Sequence, residues 1–219
     1  MGRAVFLDVD GTLVAEDGRV PESASRAVRE ARANGHRVFL STGRCLAQLW
    51  PDVLDIGFDG LIAGAGSYVQ AGDEVLVRHT LPAEAIRRVR EFFGPRGVEF
   101  YFEGHDGVYG TPRLRERLHR LVFDVVDDPE AQAVLVRGPF AYVAAMRMDT
   151  GQLEGVSKVM YMDADLPIEA VRAEFAGVFD VVPSSVSRFG ARGGEMSLPG
   201  VHKAAGVEVL CDHLGIDRE

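Results

Sequence analysis

The run Ala4-Val5-Phe6-Leu7 leads into Asp8-Val9-Asp10-Gly11-Thr12-Leu13, and this stretch constrains the chain more than any other. An apolar run closing on two carboxylates predicts a buried parallel strand that delivers acidic groups to its C-terminal edge. In open α/β sheets, ligands bind at that edge. Asp8 and Asp10 alternate with Val9 and would share one face of a regular strand. Gly11 allows a tight turn, and the Thr12 hydroxyl can bond its own backbone there. Carboxylates this close repel each other unless a cation or a shared proton intervenes. A hard divalent cation such as Mg²⁺ suits them, because it takes carboxylate oxygens and keeps several waters. The chemistry that fits is phosphoryl transfer, with one Asp as nucleophile and the other as acid/base. A solvated, Asp-rich strand end is the plain alternative.

Further on, Ser23 is placed to cap a helix running to Asn34-Gly35, with Ala24, Ala27, Val28 and Ala31 on one stripe. Arg37-Val38-Phe39-Leu40 predicts a second buried strand, ending in Ser41-Thr42-Gly43-Arg44. A right-handed crossover puts both strand ends on one sheet edge. Thr42 can then donate to a phosphate oxygen near Asp8, while Gly43 lets backbone N–H groups approach the anion. Helix capping would also explain Ser-Thr-Gly-Arg taken alone; its place after the second strand gives it meaning.

A short helix bent at Pro51, a third strand at 60–64 and a hairpin around Ala71-Gly72-Asp73 follow. The texture then changes. A helix over 82–93, a strand at 98–102, a helix over 112–121, and a strand-helix-strand run from Val156 to Val182 read as a separate α+β insertion, residues 82–185. Residues 124–155 carry no clear pattern. Tyr101 and Phe102 could line a pocket, but aromatic strand residues more commonly fill a core. Arg113, Arg117, His105 and Tyr109 belong to no motif and read as solvated or packing residues. Glu195-Met196-Ser197-Leu198 predicts a strand returning to the core, whose residues are 1–81 and 186–219, followed by a helix from Lys203 to Leu214. A lysine opening a helix works against the helix dipole. That mismatch favours a role for Lys203 in holding a phosphate and offsetting the charge of Asp8. His202, with no metal-binding partners nearby in sequence, reads as structural.

The net charge of −9 and pI of about 5.2 argue against a nucleic-acid partner. No run long enough to span a membrane and no secretory pattern is present, and Cys45 and Cys211 form no paired motif. A cytoplasmic chain with reduced thiols is the expectation. Oligomeric state is not legible.

DVDGTL, STGR and the late GVHKAAGV resemble the first three motifs of haloacid-dehalogenase-like phosphatases, and the insertion looks like the cap of the Cof-type subgroup. The resemblance implies an α/β fold: a Rossmann-like, doubly wound parallel sheet with an inserted α+β cap. It implies that Asp8 attacks phosphorus to form an aspartyl-phosphate and that Asp10 serves as acid, then base. Thr42 and Lys203 would hold the transferring group, with Gly11, Gly43 and Arg44 around the phosphate. Mg²⁺ would be bound through Asp8 and the Asp10 backbone, and the substrate would be a small phosphorylated metabolite such as a sugar phosphate. Two departures stand out. Ala65-Gly66 replaces the family's Asn-Gly pair, and no Gly-Asp-rich fourth motif (GDGxND) follows the Lys203 helix. A shortened version of a longer enzyme is the favoured expectation. A fold-retaining binding module and a phosphomutase are the alternatives.

Overall fold

Strand β1 (Ala4–Leu7) and strand β2 (Arg37–Ser41) pair in parallel, with Phe6 opposite Phe39, and helix α1 (Glu22–Ala33) makes the crossover between them. The computed structural model describes residues 2–162, 165–184 and 192–217. The expected boundary between insertion and core at 185/186, and Asp163-Ala164, lie outside the described residues. Two units emerge: Met1–His79 with Asp128–Ala141 and Val201–Glu219, and Thr80–Asp127 with Tyr142–Gly200. Among the described residues no helix is long and apolar enough to cross a membrane.

The first unit is built on a sheet in the order β1-β2-β3-β4-β5. Strand β3 (Gly60–Ala63) continues the parallel run, while β4 (Tyr68–Ala71) and β5 (Glu74–Arg78) form an antiparallel hairpin. Side-chain alternation along β2 explains why helices lie on both faces. Val38 and Leu40 join Val9, Leu13, Val28, Trp50 and Val53 in one cluster. Phe39 points the other way, to Ile62, Val69 and Leu210. Helix α1 and the short α2 (Pro51–Leu54) supply the first cluster, and α8 (Lys203–Leu214) the second. Ser23 does not cap α1. Pro21, extended at φ −62° and ψ 139°, holds that position, so Ser23 falls inside the first turn.

The second unit has a six-stranded sheet in the order β10-β11-β9-β6-β7-β8. Its members are β6 (Glu99–Gly104), β7 (Val108–Gly110), β8 (Arg147–Met148), β9 (Val156–Met162), β10 (Asp180–Pro183) and β11 (Gly194–Ser197). Phe102, Val159, Tyr161 and Met196 form one buried face with α3 (Ala83–Phe93) and α7 (Ile168–Glu174). Tyr101 and Phe102 are both buried, as core packing predicts. Helix α4 (Pro112–Val122), capped by the Thr111 hydroxyl, buries Leu114, Leu118 and Val122. The patternless stretch contains α5 (Pro129–Arg137), α6 (Ala141–Ala144) and β8.

Two placements differ from the sequence expectation. Strand β11 does not return to the first sheet; it pairs antiparallel with β9 and β10, because Met196 completes the second unit's core. Residues 128–141 lie within the supposed insertion yet belong to the first unit, where Leu135 and Pro139 pack at Gly18.

Candidate active site

Asp8 follows the last residue of β1, so the strand carries its carboxylate to the sheet edge. Its Oδ1 accepts the backbone N–H of Val9 at 2.8 Å, which orients the group. Its Oδ2 accepts the Lys203 ammonium at 2.8 Å, across 195 positions of sequence. The two side chains are 42% and 39% exposed, so the pair stands open to a ligand. Lys203 reaches Asp8 because α8 is seated closely. Gly206 lies so near Ile62 that a Cβ on it would come within 2.7 Å of Cγ2. His202 caps the helix, its Nδ1 accepting the Ala205 N–H at 3.0 Å, so this histidine is structural, as expected.

Gly66, which stands in the departed Asn-Gly position, has φ +108°, and a Cβ there would lie 2.4 Å from the His202 carbonyl oxygen. Gly66→Ala is therefore expected to lose roughly 2 kcal/mol or more of stability, from backbone strain and the displaced helix start. Urea unfolding measures this; an unchanged midpoint would mean that α8 shifts freely.

Asp10 lies beyond β1 on the turn, and its side chain is 56% exposed. The turn is fastened by N–H groups of Leu13 and Val14 donating to the Val9 carbonyl. Gly11 sits at φ +72° and its N–H donates to the Val14 carbonyl at 3.1 Å, so it shapes the turn and its amide is engaged there. A Cβ on Gly11 or Gly43 would meet nothing within 4 Å, so space lies open at both turns.

Thr42 directly follows β2, the parallel neighbour of β1, and is wholly buried. Its Oγ1 accepts the Arg44 backbone N–H at 3.1 Å, leaving the hydroxyl hydrogen to donate. Arg44, expected beside a phosphate, gives its side-chain donors to protein. Nε and Nη2 fork onto the two Asp10 oxygens at 2.8 Å each, and Nη1 donates to the Pro139 carbonyl at 2.7 Å. Sequence reading missed this because its partners lie 34 and 95 positions away.

The unassigned polar residues also find protein partners. Arg113 and Arg117 pair with Glu99, and the Tyr109 hydroxyl donates to Asp106. His105 is buried, its N–H donating to the Gly155 carbonyl.

Residues 5–219 match the family model described as haloacid dehalogenase-like hydrolase. A phosphoglycolate phosphatase from Methanopyrus kandleri (strain AV19) is 33% identical over 94 residues, 42% of this chain and 40% of that protein. This chain spans between about a third and a half of the length of several curated relatives it matches, and 77% of one Streptococcus pyogenes putative phosphatase at 23% identity. Among solved structures, a haloacid dehalogenase-like hydrolase from Bacteroides thetaiotaomicron aligns with TM-score 0.74 at 17% identity, over 100% of this chain and 79% of that one. The subclass IIB sugar phosphatase BT4131 aligns with TM-score 0.69 at 19% identity, over 98% and 77%. These structural likenesses are likenesses of fold.

Proposed function

The chain belongs to the haloacid dehalogenase-like hydrolases, and from that premise we propose that it hydrolyses phosphomonoesters of small metabolites, sugar phosphates foremost. The observation that carries this reading is the Lys203 ammonium 2.8 Å from Asp8, with Asp10 on the turn just beyond. Asp8 forms a bond to phosphorus as the ester P–O bond breaks, and Asp10 gives its proton to the departing oxygen. Asp10 then takes a proton from water, whose oxygen attacks phosphorus, releasing phosphate and regenerating the Asp8 carboxylate. Lys203 offsets the negative charge gathered around phosphorus throughout, which is the main catalytic task in such transfers. Thr42 would donate its hydroxyl to a phosphoryl oxygen once its turn opens, since it is wholly buried as it stands.

Mg²⁺ fits the donors present. Asp8 offers a half-exposed carboxylate, and the Asp10 main-chain carbonyl would add a second hard oxygen. Among the described residues there is no cluster of three or more potential ligands. Mg²⁺ commonly keeps several waters and takes one or two carboxylates together with substrate phosphate. When bound, the ion would supply electrophilic charge neutralisation at the phosphoryl oxygens.

Phosphate release from an aryl phosphate and a panel of sugar phosphates, with and without Mg²⁺, tests the reading. Turnover should vanish on chelation and return with Mg²⁺. Metal-independent turnover would overturn the cofactor assignment, and phosphate moved from one sugar position to another, rather than to water, would make the enzyme a mutase.

A further inference from the structure

Arg44 is held more tightly than a phosphate ligand needs to be. Its side chain is 13% exposed, with the guanidinium carbon 5.1 Å from the centroid of the Trp50 ring. The fork onto Asp10 fixes the plane of that carboxylate. The third donor reaches the Pro139 carbonyl, on the Asp128–Ala141 segment. That segment is seated on the loop that carries Asp10. A Cβ on Gly18 would come within 3.0 Å of both Leu135 and Pro139, and Glu130 pairs with Arg19 at 3.2 Å. Trp50 Nε1 is buried without a hydrogen-bond partner, and a Cβ on Gly138 would lie 3.4 Å from it.

We infer that Arg44 is a positioning residue coupling the orientation of the Asp10 carboxylate to the docking of Asp128–Ala141 beside it. The inference rests on the phosphatase reading for its catalytic consequence. The fork uses two of the carboxylate's four lone-pair directions and leaves two, one for the leaving-group oxygen and one for the later water. Anchoring Nη1 on a backbone carbonyl holds the long side chain in the one rotamer that keeps the fork. A segment remote in sequence thereby governs the acid step.

The catalytic half is read through leaving groups, because proton donation matters in proportion to the basicity of the departing oxygen. Nitrophenyl phosphate releases a stable anion, whereas glycerol phosphate releases an alkoxide that needs the proton. In Arg44→Met and in Leu135→Ala, which loosens the buried α5 contact, kcat on glycerol phosphate should fall at least about tenfold further than on nitrophenyl phosphate. Inhibition by inorganic phosphate should stay unchanged. Equal losses on both substrates with weakened phosphate inhibition would make Arg44 a phosphate ligand and overturn the inference, as would a Leu135→Ala enzyme indistinguishable from the parent. The docking half is read without turnover. Trp50 is the chain's single tryptophan, so acrylamide quenching should rise in both variants while their urea midpoints report an intact fold. Unchanged quenching in both overturns the coupling. A parent chain with no Asp8-dependent turnover but with the quenching response would sink the phosphatase reading alone. If Arg44→Met does not fold, Arg44→Lys replaces it: it keeps the charge but loses the fork, and is expected to show the same leaving-group pattern.

Discussion

Asp8→Asn should abolish turnover on every substrate, by roughly 10⁴-fold or more, while leaving the fold nearly as stable as before. The amide keeps the shape of the carboxylate but is a far poorer nucleophile toward phosphorus, so no covalent intermediate forms. The structural cost is small because the Lys203–Asp8 pair is about two-fifths exposed at both ends. Pairs of that exposure contribute about 1 kcal/mol or less. Activity and stability therefore separate cleanly in this variant. Phosphate release and urea unfolding on the same preparation are the two measurements. Residual turnover within about tenfold of the parent would remove Asp8 as nucleophile, whereas a lost fold would show the ion pair to be structural. Lys203→Met makes the companion case. It leaves Asp8 in place without its counter-charge, and removal of one such electrostatic group costs on the order of 10²–10³ in kcat.

The candidate site at the end of β1 was legible because its signals are local. An apolar tetrad running into two carboxylates reads as a strand end, and β1 ends there with Asp8 next in line. It is a half-buried edge strand and not the buried one expected, since among the described residues only β2 pairs with it. Lys203 announced itself by contradiction, a cation where the helix dipole disfavours one, and the structure pairs it with Asp8. Arg44 was visible in the motif, but its partners were not, because a fork onto Asp10 and a bond to Pro139 depend on how distant segments meet. The placement of β11 was hidden for the same reason. A strand of four residues states its own alternation, Met196 on one face and Glu195 on the other, but not which sheet will accept it. The stretch 124–155 defeated pattern reading because its helices are short and part of it packs on the first unit.

A second variant with a large expected effect lies away from the site. The β9 strand Val156–Met162 is buried along its length yet carries Lys158, which is 4% exposed. Its ammonium lies 2.9 Å from Glu103, directly opposite on β6, and 3.1 Å from Glu195 on β11. Burial alone would push the Lys158 ammonium down, but the two carboxylates outweigh it and hold the group well above the usual lysine value. Lys158→Met fits the space but takes the ammonium away from the Glu103 carboxylate, which is 2% exposed. Breaking a buried pair in this way costs about 3–5 kcal/mol, a large share of a domain's stability. Replacing the whole set, as Glu103→Gln, Lys158→Met and Glu195→Gln together, should recover most of that loss, since no charge is then stranded. The pH dependence has a definite sign. A raised folded-state value means that the lysine's contribution is full below the unfolded value near 10.4 and fades only as pH climbs through the folded one. Parent unfolding should thus show no Lys158-dependent change across neutral pH. Urea midpoints of the parent, the single and the triple variant decide the matter. A single variant as stable as the parent would mean that water reaches Glu103, and a triple variant no better than the single would mean that packing, not charge, holds this face of the sheet.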